Sequence, residues 1–189
     1  MAGGGEVVVE AQGLFEAGGG MGQGAGPAGT QAFVAQRFEA AQALARAQRA
    51  LRRRRPDLSL KVYDAARPMS VQQRMWNVVA GTPKHIYVSN PRNGGGLHNY
   101  GLAVDITLCN ERGDSLPMGT RIDFMGHEAH IDREEQLQRR GVLTPEAAAN
   151  RRLLREVMAE GGFRPLRTEW WHFNLRSRAE ARARYQVIR

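Results

Sequence analysis

The segment Leu102–Leu108, LAVDITL, constrains this chain more than any other. Its residues alternate as a strand does, so Val104, Ile106 and Leu108 share the face that feeds a core. Asp105 and Thr107 point the other way. A carboxylate buried there without a partner would cost on the order of several kcal/mol, so a positive group is expected opposite Asp105. Three glycines, Gly94 to Gly96, lead into His98, and Gly101 marks a kink before the strand. The seven-residue step from His98 to Asp105 has the wrong parity for one strand face. His98 is therefore expected on the incoming loop.

A second stretch, TEWWHF, repeats the theme: His172 stands three residues after Glu169 in an aromatic setting. Residues i and i+3 point to opposite faces of a flat strand, so a bulge or a strand end is expected between them. Two His and one Asp are the ligand types of a catalytic zinc that keeps a fourth position for water. Glu169 suits the general base that takes a proton from that water. His85, His127 and His130 remain open as ligands from composition alone, and Trp170, Trp171 and Phe173 are read as packing.

The 189 residues suit a single compact domain. The lone cysteine, Cys109, excludes an intrachain disulfide and a cysteine zinc finger. No apolar run approaches the roughly 20 residues of a membrane span. The start MAGGGEVVVEAQGLF has no basic segment followed by a long apolar one, which makes the cytoplasm the expected location. A mature periplasmic or secreted form with its signal removed would read the same way. Net charge is +8, and 25 of the 27 basic residues are Arg. These are dispersed among acids, and the densest run, Arg52–Arg55, ends a helix where cations complement the dipole. A solvated basic surface is expected, with no nucleic-acid partner. Oligomeric state is not legible.

Residues 1–30 hold 11 of the 22 glycines and are expected to be flexible, apart from a short strand at Val7–Val9. From residue 31 to 189 the chain reads as one domain. Phe33, Val34, Phe38, Ala41, Leu44, Ala45 and Leu51 recur at helical spacing, interrupted by Gln48, and predict a helix ending before Pro56. LSLKVYDA reads as a half-buried strand, and Ser70 as the N-cap of a helix stopped by Gly81. Residues 82–97 read as loop, and a short polar helix is expected around 132–140. Thr144 followed by Pro145 opens a helix running to Gly161, and FRPLRTEWWHFNLR reads as one last strand. Helices and strands do not alternate regularly, which predicts an α+β fold on an antiparallel sheet.

Four stretches together resemble a known family. HNYGLAVD matches the His-x-x-Gly-x-Ala-x-Asp motif of the zinc D,D-peptidases, and EWWH matches their Glu-x-x-His motif. VYDAARP and MGTRIDFMGHEAH are similar to two further segments of the vancomycin-resistance type of D-alanyl-D-alanine dipeptidase, peptidase M15. They occur in the family's order over roughly residues 31–175. The resemblance implies a Hedgehog/D,D-peptidase-like fold of small antiparallel sheet and flanking helices. It implies one zinc held by His98, Asp105 and His172, with Glu169 as catalytic base and Arg67 facing the developing oxyanion. Asp123 would meet the amino group of a D-alanyl-D-alanine or related dipeptide from cell-wall peptidoglycan. Without that match, Arg67 would be read as an ion-pair partner of Asp64.

Two rivals accompany this reading: a D,D-carboxypeptidase or endopeptidase on longer murein peptides, and a non-catalytic zinc-binding module of the same fold. Three departures bear on the pocket. Gly96 stands where the family commonly has Ser, and Ala66 where it commonly has an aromatic residue. The family's N-terminal Asp-Asn-Phe segment is absent from the Gly-rich start. An altered pocket wall around intact metal chemistry is expected.

Overall fold

The computed structural model describes residues 8–9 and 27–189, with side chains from residue 38 onward. The expectation of flexibility for residues 1–30 falls mostly outside them. Strands β1 (Val8–Val9), β2 (Ser59–Asp64), β3 (Ala103–Cys109), β4 (Arg164–Leu166) and β5 (Glu169–Asn174) form one sheet in the order β1-β2-β3-β5-β4. The pairs β2–β3, β3–β5 and β5–β4 are antiparallel, and only the short edge strand β1 runs parallel to its neighbour β2. Helices α1 (Pro27–Arg54), α2 (Met69–Val79), α3 (Glu134–Arg139), α4 (Pro145–Gly161) and α5 (Arg178–Arg184) surround it. The expected α+β fold is the one observed.

Helices α1 and α4 pack on each other, and they also contact strands β2 and β3 respectively. Leu60, Val62, Val104, Ile106 and Leu108 join Leu51, Leu154 and Met158 in one core, each such burial stabilising by roughly 1.5–3 kcal/mol. Every residue of β3 is buried, on both faces, as befits the strand between β2 and β5. That includes Asp105 and Thr107, so the second face of β3 is covered too.

Several boundaries follow local chemistry. Thr144 caps α4 by accepting from the Ala147 amide, Pro145 takes the first turn, and Gly162 ends the helix in the left-handed region. The short strand expected at Val7–Val9 is present at Val8–Val9, and the loop 82–97 contains only short 3₁₀ turns.

Other expectations are corrected. The inward face of α1 carries Ala40, Ala43, Ala47, Ala50 and Leu51, whereas Phe38 and Ala41 are exposed. Small residues win because α4 comes so close: a Cβ on Gly161 would lie 2.8 Å from the Ala43 carbonyl oxygen. Gln48 does not interrupt the stripe, since its buried Oε1 accepts from the Leu60 amide at 2.8 Å. Phe33 and Val34 belong to α1, but their side chains are outside the description. Ser70 is not a cap, because α2 begins directly after Pro68 and Ser70 falls inside its first turn. The last aromatic segment is a hairpin of β4 and β5, followed by α5, which Ser177 and Glu180 cap reciprocally. No run of periodic apolar residues announces a seven-residue helix of this kind.

The basic run at the end of α1 meets acids on α4. Arg53 pairs with Glu160 at 2.7 Å, and Arg54 pairs with Glu156 at 2.8 Å and Glu160 at 2.6 Å. Exposed pairs of this kind contribute about 0–1 kcal/mol each. Among the described residues, no helix is long and apolar enough to cross a membrane.

Candidate metal centre and cleft

Two strands, one turn and two connecting segments bring the candidate residues together. Asp105 on β3 is paired in register with His172 on β5, which places both side chains side by side. His98 occupies a 3₁₀ turn, Leu97–Tyr100, that ends at Gly101 with φ +65°, a conformation glycine adopts without strain. The turn returns the chain to β3 so that His98 reaches the same spot from outside the sheet, as its spacing predicts.

His98 Nε2 and His172 Nδ1 are 3.1 Å apart, and Asp105 Oδ1 is 3.3 Å from the first and 3.0 Å from the second. Among the described residues these three alone form a buried group able to hold a metal ion, their ligand atoms all within 4.8 Å of one another. The donor chemistry fits a cation. His172 Nε2–H donates to Asn174 Oδ1 at 2.9 Å, which leaves Nδ1 as a lone pair aimed at a carboxylate oxygen. Two acceptors in contact repel unless a proton or a metal ion stands between them. Burial alone would lower the His172 pKa, but the hydrogen bond and charge of Asp105 outweigh it and raise it. Burial opposes ionisation of Asp105 as well, yet the charge and hydrogen bonds of His98 and His172 hold it well below the usual carboxylate range. The permanently positive group that faces Asp105 is the Arg67 guanidinium, 3.6 Å away, beside the two imidazoles.

Around the cluster stands a supporting layer. A register shift in β2 between Val62 and Asp64 sets Asp64 opposite Asp105. Asp64 accepts from Arg67 Nε at 2.9 Å and faces His98 Nδ1 at 3.8 Å. Arg67 thus makes its ion pair with Asp64 while also facing the cluster. Arg67 also donates to Gln72 Oε1 at 3.2 Å, and its own backbone is tied to the His98 turn: Arg67 N–H donates to His98 O, and Asn99 Nδ2 to Arg67 O.

Glu169 is brought in by the expected bulge. It pairs with Leu166, whereas Phe173 pairs with Pro165, so the strand shifts register between them. The shift carries Glu169 Oε2 to 3.9 Å from His172 Nδ1. Burial raises its pKa to about 7, with the charges of Asp105 and Asp123 adding and those of His172 and Arg67 opposing. Asp123 stands in the left-handed region at φ 60°, uncommon for a residue other than glycine, and burial followed by the Asp105 charge raises its pKa. Arg151, fully buried on α4, donates to the carbonyls of Met118 and Glu128 and so braces the segment that carries Asp123.

His98, Asp105, His172, Arg67, Asp123 and Glu169 line one cleft of about 610 Å³, shared with Gln72, Ser89, Gly96, Trp171, Asn174 and Arg178. The other histidines stay out of the cluster. His130 contacts Tyr87 Oη at 3.2 Å and packs edge-on against His127, and His85 Nδ1 contacts the Thr82 carbonyl. The wall at Gly96 is not open: a Cβ there would lie 2.9 Å from Ser89 Oγ, so the Ser89 side chain already fills that space. Ala66 is exposed and forms no part of the cleft wall.

Asn174, Gln72 and Ser89 escaped the reading of the sequence. Asn174 had a signal, since two residues along a strand share a face and WHFN places an amide beside His172. Ser89 had none.

The α+β scaffold thus presents a buried His-Asp-His cluster able to hold a metal ion on the wall of a charged cleft. A family model described as D-Ala-D-Ala dipeptidase matches residues 25–188, and the chain belongs to that family, peptidase M15. The D-alanyl-D-alanine dipeptidase of Escherichia coli (strain K12) is 36% identical over 118 residues, 62% of this chain and 55% of that protein. That of Enterococcus faecium is 40% identical over 80 residues, 42% of this chain and 36% of its own length. The matched segments therefore span from about a third to about half of these relatives.

Proposed function

We propose that this protein is a zinc-dependent dipeptidase that hydrolyses D-alanyl-D-alanine or a related D-amino-acid dipeptide of cell-wall origin. The observation that carries the reading is the convergence of His98, Asp105 and His172 beside a glutamate raised to about 7. His98 Nε2, Asp105 Oδ1 and His172 Nδ1 would hold the ion, which when bound supplies Lewis acidity to a carbonyl and to water.

The remaining steps belong to the chain. Asn174 accepts from His172 Nε2 and keeps Nδ1 free for ligation, while the Asp64 carboxylate lies 3.8 Å behind His98 Nδ1. Glu169, poised near neutrality, takes a proton from water and passes it to the departing amine. The Arg67 guanidinium meets the oxyanion of the tetrahedral species. Asp123, on the same cleft wall, accepts the substrate ammonium. A structural metal alone would need neither a displaced glutamate nor an arginine, which weighs against a non-catalytic module. The volume of about 610 Å³ exceeds what a two-residue peptide fills, and this favours some activity on longer D-Ala-D-Ala-terminated peptides.

The test is hydrolysis by zinc-loaded and chelator-treated protein of D-Ala-D-Ala, its N-acetyl form, L-Ala-L-Ala and a murein pentapeptide. Chelator-sensitive turnover of the D,D-dipeptide is expected, with the N-acetyl form slower by about 10–100-fold for want of the charged contact. Silence on every D,D-substrate would refute the reading. A pentapeptide preferred over the dipeptide would replace it with the carboxypeptidase.

A further inference from the structure

The cleft is electrically divided. Asp105, Asp123 and Glu169 line it together with four arginines: Arg67, Arg164, Arg176 and Arg178. Arg67 is engaged by Asp64 and Gln72, and Arg176 by Glu39. Arg164 and Arg178, by contrast, form no ion pair with a carboxylate among the described residues, and of the two it is Arg178 that touches another residue of the cleft wall. The hydrogen-bond partner of Arg178 is neutral: its Nη2 donates to Ser89 Oγ at 3.2 Å. A guanidinium has five N–H donors and no acceptor, so most of the donor capacity of Arg178 is unspent. Ser89 Oγ, accepting from Arg178, keeps its own O–H proton to donate. Two donors therefore meet at one point of the cleft wall.

This point is built, not incidental. Gly96, two residues before His98, leaves room for the Ser89 side chain, since a Cβ at 96 would stand 2.9 Å from Ser89 Oγ. The Ser89 backbone is held by Gln72, whose Nε2 donates to Ser89 O at 2.7 Å while its Oε1 accepts from Arg67. Gln72 is buried, so Ser89 and Arg67 are referenced to one rigid amide.

We infer that Ser89 and Arg178 form a carboxylate-reading end of the cleft, which takes the C-terminal carboxylate of the dipeptide. The inference rests on the dipeptidase reading and deepens it. An ammonium at Asp123 and a carboxylate at Ser89–Arg178 would hold a zwitterionic dipeptide by both ends, with the scissile bond over the His-Asp-His cluster. A charge-assisted pair of this kind separates acid from amide by about 10–100-fold.

The test compares D-Ala-D-Ala with D-Ala-D-alaninamide in two ways. Binding is measured by calorimetry on zinc-loaded Glu169→Ala protein, and turnover on zinc-loaded wild type. The acid is expected to bind about 10–100-fold tighter than the amide, with the difference seen in KM and little in kcat. Arg178→Ala should erase that preference, Arg178→Lys should restore part of it, and Ser89→Ala should weaken it. Arg178 is exposed, so its variants are expected to fold, and zinc content and circular dichroism verify this. Equal affinity for acid and amide in the background of unaltered Arg178, an acid preference that survives Arg178→Ala, or no binding of either peptide would overturn the inference. An acid preference with no wild-type turnover would instead overturn the dipeptidase reading and leave the carboxylate end standing.

Discussion

Replacing Asn174 by Ala removes a single contact, the acceptor 2.9 Å from His172 Nε2. The backbone of residue 174 stays in the ladder, paired with Ala103 on one side and Arg164 on the other, so the strand itself is not disturbed. What changes is the tautomer. With Oδ1 in place, the ring proton is fixed on Nε2 and the Nδ1 lone pair faces the metal position. Without it, the proton can move to Nδ1 and hydrogen-bond Asp105 Oδ1, 3.0 Å away, which occupies two ligand atoms at once.

A neutral hydrogen bond contributes about 0.5–1.5 kcal/mol net, and polarisation of the ring by a bound cation strengthens it. Loss of a partner behind a ligating histidine typically costs about 10–100-fold in metal affinity, equivalent to about 1.4–2.7 kcal/mol. Competitive titration with a chromophoric chelator measures the zinc Kd of wild type and variant. Asn174→Asp, which keeps an acceptor and adds charge, should bind zinc at least as tightly as wild type. An unchanged Kd in Asn174→Ala would refute the argument that this amide sets the tautomer of His172.

Glu169→Gln should retain zinc and lose about 10²–10⁴-fold in kcat, the usual contribution of a general base; wild-type turnover by the zinc-loaded variant would remove Glu169 from the chemistry. Zinc affinity should fall as pH drops, because His172, its pKa raised in the metal-free protein, must shed its proton to ligate. Chelator titrations at acid and alkaline pH check this, and a flat profile would contradict it. Gly161→Ala should destabilise the fold by about 1–3 kcal/mol, a fall of roughly 2–12 °C in Tm, because its Cβ would be driven against the Ala43 carbonyl. An unchanged melting curve would mean that α1 and α4 have slack where they cross.

The members of the candidate metal cluster were legible in the order of residues because their constraints are local. Strand parity placed Asp105 apart from Val104 and Ile106, the glycines placed His98 on a turn, and the awkward step from Glu169 to His172 required a bulge that β5 supplies. Helix α4 was legible for the same reason, since Thr144, Pro145 and Gly162 act within one turn of its ends. Tertiary structure alone decided the remainder. Which stripe of α1 turns inward depends on how closely α4 approaches at Gly161, and periodicity weighs Phe38 and Ala40 alike. The layer behind the ligands joins distant positions: Ser89 meets Arg178 across 89 residues of chain, and Gln72 meets Ser89 across 17. Hydrogen bonds of that reach have no spacing to betray them. They exist only once burial has brought their donors and acceptors into the same dry space, where each must find a partner.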